Sequence, residues 1–224
     1  MDWVLYTVLL YGATAAASYF LGCFNGAVIV SKYILRDDVR NHGSGNAGLT
    51  NFYRAFGGVL TFVVILTDVL KAVIAILLAG WLFSSGGDFF IVVGKYWAAV
   101  FCLLGHMFPC MFGFKGGKGI LSGGTIAIML DWRIALVVWG GFLLLAVLTR
   151  YVSLGSCWAG ASFPFATAWV YRGYLTDPGL SAHAWFVVAM GAFLGGMILW
   201  KHRENIKRLL AGNENKFSLH KKKP

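Results

Sequence analysis

Charged residues are scarce in this 224-residue chain, at 12% of the total, whereas 58% of its residues are hydrophobic. Soluble domains carry about 25% charged residues, so this shortage argues against a soluble fold. The opening residues Met1-Asp2-Trp3 lack the basic start of a cleavable signal peptide, so we expect none. Linkers, low-complexity runs and convincing repeats are also missing, which predicts one domain over residues 1–224.

Metal-binding patterns are missing too. The four cysteines form no C-x-x-C pair, and the cysteines and histidines together lack zinc-site spacing. We expect buried free thiols and neither metal nor cofactor.

Acidic residues are few, and the net charge is +10. In so apolar a chain this charge predicts attraction to anionic lipid rather than binding to nucleic acid.

Long apolar runs are what the sequence does contain. A membrane-crossing helix needs about 20 apolar residues. Residues 120–130 are short for a crossing, which they complete if their helix begins inside the preceding glycine loop; otherwise they form a re-entrant segment. With the crossing preferred, the sequence predicts an all-α integral membrane bundle of seven transmembrane helices. The runs are 3–35, 58–83, 89–112, 120–130, 134–149, 152–171 and 182–200.

The basic residues indicate the orientation. An N-terminus outside and a C-terminus in the cytoplasm put fifteen of the nineteen Lys and Arg residues on the inner face, including a basic tail over residues 201–224 that ends in Lys221-Lys222-Lys223. Cytoplasmic loops carry such an excess of basic residues. With six spans, Arg150 and the tail would lie on opposite faces of the membrane, so we predict an odd number of spans.

Two glycine-rich segments separate the apolar runs, and we call them the first glycine loop (residues 43–48, GSGNAG) and the second glycine loop (residues 116–119, GGKG). Glycine allows tight bends that expose backbone N–H groups to an anion, and a following helix adds its positive dipole end. The pattern predicts phosphate binding at a membrane face.

Two familiar nucleotide motifs do not fit these loops. The first glycine loop matches G-x-G-x-x-G, and Asp68 lies twenty residues beyond it. However, the polar residues 36–42 precede the glycines where a dinucleotide fold needs a buried strand. The second loop is no P-loop, because Gly119 rather than Ser or Thr follows Lys118.

Polar residues gather in five islands on the predicted inner face, and polar groups in a membrane bundle are candidates for function. Single members have other interpretations: Arg54, Arg150 and Lys201 could mark span ends, and His106 could cap a helix or touch substrate. Asp68 and Lys71 are favoured as an internal ion pair, with a direct role as the alternative. The islands are residues 41–54, 105–109, 114–119, 150–156 and 201–205.

These islands carry a family resemblance over nearly the whole chain. The segment 43–51 (GSGNAGLTN) with Arg54, the pair 105–109 (GHMFP) and 114–119 (FKGGKG), and 150–156 (RYVSLGS) resemble, in order, three signatures of the PlsY family. Residues 202–216 are similar to the family's C-terminus. Members are bacterial glycerol-3-phosphate acyltransferases that use acyl phosphate.

The resemblance implies a seven-helix enzyme of the bacterial plasma (inner) membrane, with its active site facing the cytoplasm. It implies acyl phosphate, glycerol 3-phosphate and membrane lipid as partners, without an obligatory protein partner. Catalytic candidates are Ser44, Lys118, Ser153 and His202. Substrate-binding candidates are Gly43, Gly45, Asn46, Thr50, Asn51, Arg54, Gly116, Gly117, Gly119, Arg150 and Asn205.

The chain departs from the family pattern at three points. Leu49 replaces an alanine, residues 22–26 (GCFNG) are one residue shorter than the usual segment, and residues 120–122 (ILS) replace Val-Ala-Thr. These changes could alter acyl-chain fit while leaving the matched polar positions intact.

Two rival functions remain open at this stage. An acyltransferase that uses thioesters would usually carry His-x-x-x-x-Asp, and no histidine here has an Asp five residues later. A transporter of an anionic metabolite would explain the basic islands, but it explains their one-sided clustering poorly.

Overall fold

A computed structural model describes residues 2–217, and the regular elements within this range are all helical. The predicted tail residues Lys221 to Lys223 lie outside the described residues. The α-helices are α1 (Trp3–Cys23), α2 (Gly26–Ile29), α3 (Leu49–Ala55), α4 (Leu60–Leu82), α5 (Asp88–Met107), α6 (Ile120–Leu130), α7 (Trp132–Thr149), α8 (Val152–Val170), α9 (Ser181–Lys201) and α10 (Arg203–Leu210).

The apolar surface faces outwards on several helices, as it does in a protein surrounded by lipid. On α7, Leu144, Val147 and Leu148 are 59%, 74% and 73% exposed, which would be unusual for a water-soluble monomer. Within residues 2–217, five helices are long and apolar enough to cross a membrane, namely α1, α4, α5, α7 and α9.

The count of seven crossings stays a prediction, because α6 and α8 fall outside that group of five. The helix α6 has 11 residues and begins after the second glycine loop, with Gly119 as its N-cap. Residues 120–130 were expected to complete a crossing if their helix began inside that loop, and it begins after the loop instead. The helix α8 has 19 residues, but Ser153, Ser156 and Ser162 make it more polar than the five.

The first apolar run is interrupted rather than one continuous helix. Helix α1 ends at Cys23, and Asn25 then caps α2 by accepting a hydrogen bond from the Val28 N–H group at 3.1 Å. A π-helical turn over Val30–Ile34 follows α2. The break exposes the carbonyl of Phe24 to neighbouring helices.

Glycines allow the closest helix crossings. A methyl group added to Gly22 on α1 would collide with the Cys102 carbonyl of α5, and one on Gly105 of α5 would collide with the Tyr19 carbonyl of α1. Lipid supplies no hydrophobic drive between helices, so close backbone approach matters for their association. The crossing fixes the end of α5 that leads into the second glycine loop.

Candidate active site

The first glycine loop is shaped by positive backbone angles and by one buried side chain. Gly43 and Gly45 have φ of 54° and 68°, conformations that favour glycine. The Asn51 carboxamide nitrogen donates to the carbonyl oxygens of Val39, His42 and Asn46 at 2.9–3.1 Å, and its oxygen accepts from the Ser44 N–H at 3.1 Å. Asn51, predicted to bind substrate, thus has its amide engaged with the loop's own backbone.

The second glycine loop folds back onto the end of α5. The Gly116 N–H donates to the Met107 carbonyl at 3.2 Å, and the Gly117 N–H donates to the His106 carbonyl at 3.1 Å. Gly119, with φ of 77°, then starts α6. Lys118 projects from this loop at the N-terminal end of α6, where the helix dipole favours anions.

Lys118 begins a polar network that crosses to the C-terminal helix. Its Nζ donates to the Asn205 side-chain oxygen, a contact between residues 87 positions apart. The Asn205 amide nitrogen donates to Glu214 Oε1 at 3.0 Å, and Arg208 Nε donates to Glu214 Oε2 at 2.8 Å. The Glu214 side chain is only 8% exposed, whereas the Arg208 side chain is 40% exposed, so this ion pair is only partly shielded from water.

The surroundings of Lys118 favour loss of its proton. Burial lowers the pKa of the Lys118 ammonium, and the positive charges of Arg208 and Arg54 lower it further. The Glu214 carboxylate opposes this by attracting the charged form. An arriving phosphate would supply the missing negative charge and stabilise the ammonium.

His202 lies between α9 and α10, is 4% exposed, and is close enough to Lys118 for the lysine charge to act on it. Its Nδ1 lies 2.8 Å from the Ile198 carbonyl oxygen, so in the neutral ring Nδ1 carries the proton and Nε2 keeps a lone pair. Burial lowers the His202 pKa to about 4, and the Lys118 charge contributes. The ring is therefore a neutral hydrogen-bond acceptor near pH 7.

The α7–α8 junction adds a buried hydroxyl. Ser153, on the first turn of α8, is 6% exposed, and its Oγ has no hydrogen-bond partner within residues 2–217. Arg150 adopts φ of 62° at the end of α7, and its carbonyl accepts from the Phe217 N–H at 2.8 Å. The segment after α10 thus runs over the start of α8.

The predicted residues form one group around Lys118 and one at the surface, with Arg54 between the two. Lys118 and Asn205 touch, the Lys118 charge lowers the pKa of His202, and the Arg54 charge lowers the pKa of Lys118. The side chains of Ser44, Arg54 and Arg150 are exposed and make no hydrogen bond among the described residues, while Thr50 and Asn46 are half-buried.

Two members of the network were missing from the sequence prediction. Glu214 and Arg208 belong to the C-terminal segment, but no role was predicted for them. Gly212, with φ of 71°, turns the chain back after α10 and brings Glu214 onto Arg208. Opposite charges on either side of a glycine were the available signal.

The internal pair predicted for α4 is confirmed. Lys71 Nζ lies 2.7 Å from Asp68 Oδ1, and both side chains are 3% exposed. His106 is also buried and lies beneath the second glycine loop, because a methyl group on Gly117 would collide with His106 Nε2.

The fold and this site define a multi-pass membrane protein with cationic side chains and two glycine-rich loops gathered at one end of a helical bundle. Residues 12–212 match the family model described as glycerol-3-phosphate acyltransferase. The chain therefore belongs to the glycerol-3-phosphate acyltransferase family, in agreement with its resemblance to PlsY.

Relatives in sequence and structure support this membership. A glycerol-3-phosphate acyltransferase of Thermoanaerobacter pseudethanolicus is 35% identical over 213 residues, covering 95% of this chain and 96% of that one. The protein of the same name from Halalkalibacterium halodurans is 35% identical over 202 residues, covering 89% and 92%. The crystal structure of PlsY, an integral membrane glycerol 3-phosphate acyltransferase, in its glycerol 3-phosphate form, matches with a TM-score of 0.75 and 32% identity, over 93% of this chain and 96% of that one.

Proposed function

We propose that the chain transfers an acyl group from acyl phosphate to the sn-1 hydroxyl of glycerol 3-phosphate, producing lysophosphatidic acid and phosphate. The observation that carries the proposal is the contact between Lys118 and Asn205. It joins the second glycine loop to the C-terminal network, and the buried Ser153 hydroxyl has no hydrogen-bond partner among residues 2–217. Cations and hydroxyls from separate segments suit a site for two phosphate groups.

The reaction needs little covalent help from the protein. Acyl phosphate is a mixed anhydride, and its phosphate is a good leaving group. The C1 oxygen of glycerol 3-phosphate attacks the acyl carbon, the bond from that carbon to the phosphate oxygen breaks, and the released phosphate takes the hydroxyl proton. Holding two anions together against their repulsion is then the main task, and positioning can supply several kcal/mol of the barrier.

Each group of residues has a part in this scheme. Lys118 and the two glycine loops bind mainly phosphate, while Ser44 and Ser153 orient phosphate oxygens. Arg54, His202 and Asn205 bind glycerol 3-phosphate. The buried, neutral state of His202 supports an orienting role, in which Nε2 accepts a hydrogen bond from the attacking hydroxyl.

An alternative gives His202 the proton as general base. The turnover of His202→Gln separates the two, because the Gln amide oxygen can accept a hydrogen bond but is too weakly basic to take the hydroxyl proton. In both roles, protonation of the ring near pH 4 removes the Nε2 lone pair and gives the wild type an acidic limb. A base role predicts that His202→Gln loses about a hundredfold or more in turnover, whereas the orienting role predicts that it keeps most of its turnover.

We propose that the acyl tail runs between the spans beside the second glycine loop and extends into the surrounding lipid. A small apolar cavity between α6, α7, α8 and α9 is lined by Ile120, Trp139, Phe163 and Ile198, and it has room for about one water molecule, so it could hold only a small part of the tail. This location would keep the tail in the lipid-facing part of the bundle and the phosphate at its polar end. We propose that this end faces the cytoplasm in the inner membrane.

The deciding assay uses purified protein in detergent with labelled glycerol 3-phosphate, supplied in parallel with palmitoyl phosphate or palmitoyl-CoA. We expect lysophosphatidic acid from palmitoyl phosphate alone. Product from palmitoyl-CoA alone would overturn the donor assignment. A transporter would give no product in detergent but would move glycerol 3-phosphate into sealed vesicles.

A further inference from the structure

Lys71 is a buried ammonium whose three donors are all used inside the protein. Its Nζ donates to Asp68 Oδ1 at 2.7 Å, to His106 Nδ1 at 2.8 Å and to the Phe24 carbonyl oxygen at 3.1 Å. A lysine ammonium has three N–H donors, so none is left for a substrate. The Asp68–Lys71 ion pair can therefore affect a bound substrate only through the protein groups around it.

One arm of this arrangement leads to the second glycine loop through His106. Because Lys71 donates to Nδ1, the neutral imidazole carries its proton on Nε2, the nitrogen that lies against Gly117. The backbone of the same histidine accepts the Gly117 N–H at 3.1 Å. Ring and backbone of His106 thus hold the residue that precedes Lys118.

The other arm leads to the first glycine loop through the break between α1 and α2. Phe24 receives the Lys71 hydrogen bond, and the next residue, Asn25, is fully buried. The Asn25 amide nitrogen donates to the Ala47 carbonyl oxygen at 3.0 Å. Asn25 also caps α2 with its other side-chain atom, so the carboxamide has a fixed orientation.

The two arms meet where the glycine loops touch. A methyl group on Gly117 would lie 2.9 Å from the Ala47 carbonyl oxygen, so the second loop packs directly on the first. That carbonyl is the one that Asn25 holds. The same polar cluster therefore contacts both loops at their point of contact.

We infer that Asn25, Asp68, Lys71 and His106 form a buried polar support that fixes the separation of the two glycine loops, and hence of the two phosphate groups bound there. The inference rests on the proposed function of those loops. The four are positioning residues, since they act through the loops. Preorganised loops matter because misplacement on the order of 1 Å can cost about a hundredfold in rate.

The main test is the double variant Asp68→Asn/Lys71→Met, which removes the ion pair without leaving a single buried charge. Using palmitoyl phosphate and labelled glycerol 3-phosphate in detergent, we expect higher KM for both substrates and a loss in kcat/KM of about tenfold or more, because both loops shift. Folded, monodisperse protein with wild-type kcat and KM would overturn the inference.

Tyr96→Phe, on α5 with His106, is the control for loss of a buried polar contact away from the loops. It removes a buried hydrogen bond of 3.1 Å between Tyr96 and Thr167. Tyr96 lies ten residues before His106, about 15 Å along the helix. We expect a lower thermal midpoint but unchanged KM values. Equal kinetic losses in the control and the double variant would reduce the support to general stability and overturn the inference.

A second pair of variants decides the matter if the double variant does not fold. His106→Asn can place an amide oxygen where Nδ1 accepts from Lys71, whereas His106→Leu cannot. We expect His106→Asn to recover KM towards the wild type relative to His106→Leu. Identical KM values in both would overturn the inference.

Lys118→Ala separates this inference from the function it rests on. Near-normal turnover of Lys118→Ala would refute the proposed site itself. An inactive Lys118→Ala together with a kinetically normal support variant would refute only the positioning role.

Discussion

The first glycine loop is held by a side chain, whereas the second is held by backbone hydrogen bonds and close packing. Asn51 binds the carbonyls of Val39, His42 and Asn46 and the Ser44 N–H group, and Gly43 and Gly45 in this loop are exposed. In the second loop, Gly117 is buried against His106 and Ala47. The shape of the first loop should therefore depend on the Asn51 side chain, and the shape of the second on the absence of a side chain at Gly117.

The largest effect should come from removing the charge that the second loop carries. Lys118→Ala should lower kcat by about 10²–10³ or more, since removing one donor from a preorganised anion site costs that much. Lys115→Ala, which removes an exposed lysine three residues earlier, is the control and should stay near wild type. Initial rates in detergent measure both.

The next largest effect should come from filling the space that the second loop needs. Gly117→Ala would push its methyl group into His106 Nε2 and the Ala47 carbonyl, so the loop must move. We expect kcat/KM to fall by about tenfold to a hundredfold. Gly196→Ala on α9, with open space around the added methyl group, should be neutral. Equal activity of the two variants would contradict the packing argument.

A smaller effect should follow from loosening the first loop. Asn51→Ala leaves several backbone groups without their partner, and each buried unsatisfied group costs about 1–3 kcal/mol. We expect a lower thermal midpoint and a raised KM for substrate, with kcat less affected than in Gly117→Ala. Asn41→Ala, at an exposed neighbouring position, is the control. A normal KM in Asn51→Ala would show that the loop keeps its shape without this side chain.

The smallest effect should be a shift in pH dependence. Burial and the nearby Arg208 charge lower the Lys118 pKa, so activity should fall as rising pH removes the ammonium proton. Arg208→Gln removes the positive neighbour, raises the Lys118 pKa and should move the alkaline limb to higher pH. Arg203→Gln, on the same helix α10 but exposed, should leave the limb in place. A shift to lower pH in Arg208→Gln would contradict this electrostatic account.

Much of the helix layout could be predicted from apolar runs. Residues 58–83 were predicted as a span and form α4 (Leu60–Leu82), and residues 182–200 correspond to α9 (Ser181–Lys201). The break at Asn25 was missed, because an asparagine between apolar residues does not by itself end a helix. It is stabilised by distant partners, Ala47 and Lys71.

The candidate site divides in the same way. The glycine loops and Lys118 stand out locally, because glycine beside charge between apolar runs is a short-range pattern. Asn51 also stood out, yet its amide supports the loop backbone. Glu214 gave only a weak signal, since its importance depends on Asn205 and Arg208 turning towards it.

Composition and residue order alone predict a helical chain suited to lipid, with two glycine-rich segments of the kind that can bind anions, because these properties depend on local chemistry. Folding alone joins Lys118 to Asn205 across 87 positions and stacks the two glycine loops over Lys71. Such contacts depend on how helices cross, and helix crossing is set by close packing between segments that lie far apart in the chain.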